Sequence, residues 1–362
     1  MKIKFLSIIF SFSLLLPVKA QTVFYDASAF PILGKISEAT ETRYERLPAK
    51  LKEVSRPSVW NLGKHTAGLA IRFCSNSQQI SVKWETHNNY MSHMAATGIK
   101  GLDLYCMENG DWTYVNTAIP SREQQPRNEA TIVSNMERKE REFMLYLPLY
   151  DGIVSLEIGI DSTAFIELPK IDLPRQTKPV VHYGTSITQG ASATRPGMMY
   201  TNILSRKLNR EVINLGFSGN GLLDYEIAEL MADCDASLFV LEFDNCTAEQ
   251  IKERTEKFYR LLREKHPYTP IVFLEVQLRI VGNYDLSRQD IFRNNIKALR
   301  EVFEELKAKK EKNIWLIPFA GQFDGEGTVD GSHYTDLGFM RFADYLYPKI
   351  QKIMGKQSRN KK

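Results

Sequence analysis

Two periodicities divide this sequence, and the change between them near residue 175 most restricts the fold. Past that point lie five apolar runs, PVVHYG, EVINLG, ASLFVLEF, TPIVFLEV and NIWLIPFA. Helix-like segments separate them, among them MYTNILSRKL, IAELMAD and QDIFRNNIKALREVFEELKAKK. In the last of these, Ile291, Ile296, Leu299, Val302, Phe303 and Leu306 fall close to one helical stripe. Strands apolar on both faces need cover on both faces, which the intervening helices supply. Residues 179–356 are therefore expected to form a three-layer α/β/α domain around a five-stranded parallel sheet.

Residues 21–170 follow a period of two. ISVKWETH places Ile80, Val82 and Trp84 on one face of a strand. GLDLYCMENGDWTYVNTAI reads as a hairpin turning through Asn109-Gly110, the strongest short signal for a tight primed turn. FMLYLPLYDGIVSLEIGID reads as a second hairpin, turning at Asp151-Gly152, with Val154, Leu156, Ile158 and Ile160 alternating. Several such strands suit an all-β sandwich or jelly roll. Pro169, Pro174 and Pro179 place an extended linker at 171–178, and the basic stretch 357–362 is read as a tail.

At the N-terminus, Lys2 and Lys4 precede FLSIIFSFSLLLPV, and VKA ends at Ala20. Residues 1–20 are expected to be a signal peptide, giving an exported chain, periplasmic or secreted, with no membrane anchor after cleavage. A formal charge of +4 without a long Lys/Arg run before the tail gives no case for nucleic acid. Cys74, Cys106, Cys234 and Cys246 are too widely spaced for a disulfide scaffold or a CxxC metal site, so buried free thiols are expected. If a bridge forms, Cys74 with Cys106 is the pair to test. The histidines lack ligand spacing and GFSGNG lacks the GK[ST] of a phosphate loop, so no metal and no cofactor is expected.

Sites in open parallel sheets form beyond the carboxyl ends of the strands. Reading those positions in order gives Ser186 in GTSITQG, Gly219 in GFSGNG, Asp244 and Asn245 in DNCT, Glu275, Gln277 and Arg279 in EVQLR, and Asp330 and His333 in DGSHYTDLG. This inventory suits acyl transfer. A serine hydroxyl needs a base, His333 can be that base, and Asp330 can hold its tautomer. The Ser186 and Gly219 backbone N–H groups and the Asn245 amide would form the oxyanion hole. Each residue also has a plainer reading: Ser186 as a helix cap, Gly219 as a turn, Asn245 as a turn or sequon residue, Asp330 and His333 as a surface turn. Their joint occurrence at successive strand ends favours catalysis. Glu275, Arg279 and Tyr90 are candidate substrate contacts, although for the first two a surface or boundary ion pair is the favoured reading. Tyr90 lies in HNNYMSHM, a loop that could reach the catalytic edge, with packing in the core or between domains the favoured reading.

These blocks resemble those of the SGNH or GDSL-type hydrolases. GTSITQG is similar to the first block, with Ser186 as nucleophile, and NLGFSGNG to the second, its spacing from Asn214 putting Gly219 at the oxyanion position. EFDNC is similar to the third, with Asn245, and DGSHYTDLG to the fourth, with Asp330 and His333. Thr185 stands where the family name implies Asp, and the third block lacks its glycine two before the Asn. Upstream, Gly101 to Tyr105 resembles the GxDLY motif of a β-rich N-terminal domain. The resemblance implies a flavodoxin-like catalytic domain and a cofactor-free serine esterase. Through similarity to exported carbohydrate esterases, it also implies an acylated, above all acetylated, carbohydrate as substrate. The rivals are a glycan-binding protein whose catalytic domain has become a scaffold, and a lipid or thioester acylhydrolase.

Overall fold

The computed structural model describes residues 21–360 apart from 123–124, 172–173, 175, 276, 278 and 320–324, so the expected signal peptide lies outside the described residues. The first half is a sandwich of two antiparallel sheets. One has the order β1 (Thr22–Asp26), β9 (Ile153–Asp161), β4 (Ile80–Thr86), β7 (Arg127–Val133). The other runs β10 (Ile166–Glu167), β3 (Ala70–Ser75), β8 (Arg141–Tyr146), β5 (Leu102–Glu108), β6 (Asp111–Ala118), with β2 (Ile32–Leu33) also paired to β3. Ile80, Val82 and Trp84 meet Phe73, Leu104, Phe143 and Leu145 in the core between the sheets, as the alternation requires.

The Asn109-Gly110 hairpin joins β5 to β6, with Glu108 opposite Asp111 and both turn residues at positive φ, +53° and +93°. The second expected hairpin is corrected. β8 lies in the six-stranded sheet and β9 in the four-stranded one, so the chain at Asp151-Gly152 crosses between sheets. Its polar groups are consumed in that crossing: Asp151 Oδ1 accepts from Gly152 N and Oδ2 from Asn89 N. The alternation of β9 also departs by one residue. A register shift between Glu85 and Thr86 turns Ile153 inward and leaves Val154 exposed.

The second half is the expected parallel sheet. Its order is β12 (Arg210–Gly216), β11 (Gln176–Gly184), β13 (Leu238–Leu241), β14 (Ile271–Leu274), β15 (Ile314–Ile317). Two apolar clusters cover its faces. Against one pack α5 (Tyr225–Ala232), α6 (Ala248–Lys265) and α7 (Leu286–Ala308); against the other pack α4 (Tyr200–Leu208) and α8 (Asp336–Asn360). α8 runs on into the stretch read from sequence as a tail.

Sequence order and packing part company at one place. Leu47, Leu51 and, from α1 (Pro57–Gly63), Val59 and Trp60 belong to the same cluster as Val181, Leu215 and Phe243 of the α/β half. An early segment thus covers the later sheet. All four cysteines are free thiols; Cys74 and Cys106 lie on β3 and β5, with β8 between them.

Candidate active site

β11 ends at Gly184, and the short helix α3 (Ser186–Gln189) begins within two residues. Ser186 Oγ lies 3.0 Å from His333 Nε2, and His333 Nδ1 lies 2.7 Å from Asp330 Oδ2. Asp330 Oδ1 accepts from the backbone N–H groups of His333 (2.8 Å) and Ser332 (3.0 Å), so the carboxylate holds its own loop while it faces the ring. Burial pushes the Asp330 carboxyl up, but these bonds and the adjacent imidazole outweigh it and hold the group below its ordinary value. A negative charge at Asp330 keeps Nδ1 protonated and leaves Nε2 free to take the Ser186 proton. The helix-cap reading of Ser186 does not describe this geometry. Thr185 occupies the cap position, and the serine hydroxyl points to the imidazole.

Asp330 is 41% exposed. Water can therefore take over part of its role, and Asp330→Asn is expected to lower kcat by roughly 10²- to 10³-fold, below the ~10⁴ seen where such an Asp is buried. Steady-state kinetics on an activated acetyl ester check this.

Gly219 adopts φ +69°, and a Cβ there would meet nothing within 4 Å, so backbone conformation rather than crowding requires glycine. Gln189 Oε1 accepts from Ser218 N at 2.9 Å, tying the glycine turn to α3. Asn245 Oδ1 is buried with no partner among the described residues, unlike a turn asparagine bonded to its own backbone. Ser186, Gly219 and Asn245 follow β11, β12 and β13, which are neighbours in the sheet. Replacing Asn245 by Ala is expected to lower kcat by about 10²- to 10³-fold with little change in melting temperature, measured by kinetics and thermal denaturation.

Sequence reasoning missed Glu242. Only 2% exposed, it accepts from Thr185 N (2.7 Å), Thr185 Oγ1 (2.9 Å), Thr188 Oγ1 (3.0 Å) and Asp244 N (2.9 Å). A carboxylate just past β13 thus sits behind the Ser186 turn, where Thr185 stands in place of the Asp that the family name implies. The available signal was an acidic residue inside the apolar run ASLFVLEF. Thr188 Oγ1 continues to Tyr200 OH (2.7 Å) and on to His182 Nε2 (3.0 Å), whose imidazole burial pushes down to about 3 and so keeps neutral.

Burial, and next the Glu242 carboxylate, push Asp244 up to about 8. A carboxyl whose folded value exceeds its unfolded one favours folding fully at low pH and loses that contribution as pH rises from about 4 to about 8. Asp244→Asn should flatten the fall in melting temperature across that range, read from thermal melts at successive pH values.

The candidate substrate contacts fare differently. Glu275 is corrected: its carboxylate is bound by Arg300 Nε at 2.6 Å and Phe319 N at 3.1 Å, not by Arg279. Arg279 lies over the Phe292 ring, 5.6 Å from its centroid, and its charge acts on Asp244. Tyr90 is exposed. Its loop packs between the two halves, with Met94 and Met91 against the cluster of Ile187, Tyr200 and Phe339, and it also reaches His333 through His93, whose ring lies 5.3 Å from that of His333. From the same half of the chain, Tyr150 donates to Ser186 O at 3.2 Å. Among the described residues no group of three or more His, Cys, Asp or Glu is placed to hold a metal ion.

Known proteins resemble the chain over most of its length. The GDSL-like lipase/acylhydrolase profile matches residues 177–351, and the profile of the GxDLY N-terminus of SGNH-type esterases matches residues 22–166. A Bacteroides ovatus protein described as a GDSL-like lipase is 37% identical, covering 92% of this chain and 98% of its own, with a TM-score of 0.88. The chain belongs to the GDSL-like lipase/acylhydrolase family. Membership makes it a carboxylic ester hydrolase by class. More distant chains share the fold of this acylhydrolase. A salicylyl-acyltransferase from a tetracycline biosynthetic pathway has 18% identity, 92% and 97% coverage and a TM-score of 0.73. A family two carbohydrate esterase from Cellvibrio japonicus has 12% identity, 93% and 99% coverage and a TM-score of 0.57. No protein of curated function matches the chain.

Proposed function

We propose that this acylhydrolase is an exported serine esterase that removes short acyl groups, acetyl above all, from carbohydrates. The observation that carries the mechanism is the unbroken line from Asp330 Oδ2 through His333 to Ser186 Oγ, with bonds of 2.7 and 3.0 Å. Ser186 Oγ forms a bond to the acyl carbon while its proton passes to His333 Nε2. The carbonyl oxygen, now an anion, is met by the Ser186 and Gly219 N–H groups and the Asn245 amide. Collapse breaks the ester C–O bond, and His333 returns the proton to the departing sugar hydroxyl. Water then attacks the acyl-enzyme with His333 again as base, releasing the carboxylic acid and restoring Ser186.

A carbohydrate ester is supported by the shared fold with carbohydrate esterases, one of them an acetyl xylan esterase from Butyrivibrio proteoclasticus. Export is supported by the basic-then-apolar N-terminus. The deciding experiment compares p-nitrophenyl acetate, butyrate and octanoate, then follows acetate release from acetylated xylan, sialoglycans and peptidoglycan. Acetate release from one glycan, with turnover falling along the chain-length series, is the expected result. Turnover that rises toward octanoate would replace this reading with a lipid acylhydrolase.

A further inference from the structure

The GxDLY motif has no role in the chemistry above, yet its side chains are placed in an unusual way. In β5, Leu102 and Leu104 enter the sandwich core, so Asp103 and Tyr105 must face the other side of the sheet. An isolated sandwich would expose that face. Here Asp103 is 0% and Tyr105 3% exposed. The cover is the loop of residues 191–198, which follows α3, together with Arg206 of α4, whose guanidinium lies 4.5 Å from the Tyr105 ring centroid. Arg195 Nη1 donates to Asp103 Oδ2 (2.7 Å) and to Tyr105 OH (3.0 Å), and Gly197 N donates to the same Asp103 oxygen (2.8 Å). Thr117 Oγ1, on the neighbouring strand, donates to Asp103 Oδ1 at 2.7 Å. A Cβ on Gly197 would stand 2.4 Å from Tyr105 OH, so only glycine lets the loop come this close.

That loop is tied to the backbone of Ser186 and to residues beside His333. At its start, Ala191 N donates to Ser186 O at 2.9 Å. In its middle, Thr194 N and Oγ1 donate to the two Asp336 carboxylate oxygens at 2.9 and 2.5 Å, and Asp336 opens α8 three residues after His333. Ser192 Oγ donates to His93 O, the residue whose ring faces His333. Nucleophile and base come from opposite ends of the α/β half, and this loop spans them.

We propose that Asp103 and Tyr105 are positioning residues for catalysis. Through Arg195 and the 191–198 loop, they hold Ser186 and His333 at reacting distance. The inference rests on the reading of Ser186 and His333 as the reacting pair. A displacement of an ångström or so in a reacting pair costs on the order of 10²-fold, so Asp103→Asn is expected to lower kcat about 10- to 100-fold. KM should stay near the wild-type value, and the rate of Ser186 modification by a small fluorophosphonate should fall in parallel with kcat. Tyr105→Phe removes only a hydroxyl and should show the same pattern with a smaller loss. Both are assayed in the full chain, with melting temperature recorded and Ser186→Ala run beside them. A folded Asp103→Asn with wild-type kcat and modification rate would overturn the inference, as would an effect confined to KM. If Asp103→Asn does not fold, Tyr105→Phe decides by the same criteria. Turnover persisting in Ser186→Ala would remove the catalytic reading itself. An inactive Ser186→Ala beside an unaltered Asp103→Asn would remove only the positioning role.

Discussion

Replacing Ser186 by Ala is expected to lower turnover of p-nitrophenyl acetate by about 10⁴-fold or more while leaving the melting temperature within about 2 °C of wild type. The substitution removes one atom, Oγ, whose partner in the structure is His333 Nε2. The bonds that hold the turn come from Thr185 and Thr188 to Glu242, and from Tyr150 to Ser186 O, all of which survive. The backbone N–H of residue 186 also survives, so an oxyanion hole remains and turnover should stay above the uncatalysed rate, by roughly 10³-fold on the pattern of other serine hydrolases. Acetate release and thermal melts on the same preparation test both halves. Wild-type turnover in the variant would end the serine mechanism. A collapsed melting temperature would show instead that the hydroxyl supports the fold.

How much of this was legible in the sequence depends on the range of the interactions involved. The parallel sheet was readable because each of its strands is an apolar run set off by helices, a local pattern. The Asn109-Gly110 turn was readable because both residues must adopt positive φ, which few pairs accept. The Asp151-Gly152 crossing was misread because the same dipeptide can also take the chain from one sheet to another; the choice is made by His87 and Asn89, some 60 residues earlier in sequence. Ser186, Asp330 and His333 stood out because each follows a strand and two of them lie three residues apart. Glu242 did not stand out, since its partners are backbone and hydroxyl groups that sequence marks only as turn residues. The spacing of Glu275 and Arg279 suits an ion pair, whereas the fold supplies Arg300 from α7. Local spacing gives a poor account of which cation reaches a buried carboxylate.

Replacing His333 by Ala is expected to cost about as much as replacing Ser186, and the double replacement should cost no more than either alone. The reason is mechanical. Without Nε2 the serine proton has no acceptor, and without Oγ the imidazole has nothing to activate, so each single variant already disables the pair. Independent contributions would instead multiply, giving a double variant far below both singles. The surroundings of the ring add a second readout. His333 is 23% exposed and flanked by the His93 ring at 5.3 Å, so its removal leaves a gap open to solvent beside Ser186. Imidazole added to the buffer can enter that gap and act as the base, and turnover by His333→Ala should rise with its concentration. Ser186→Ala should not respond, because it lacks the nucleophile that a base would activate. Equal responses in the two variants would mean that the added imidazole hydrolyses the ester directly, and that His333 does not act through Ser186.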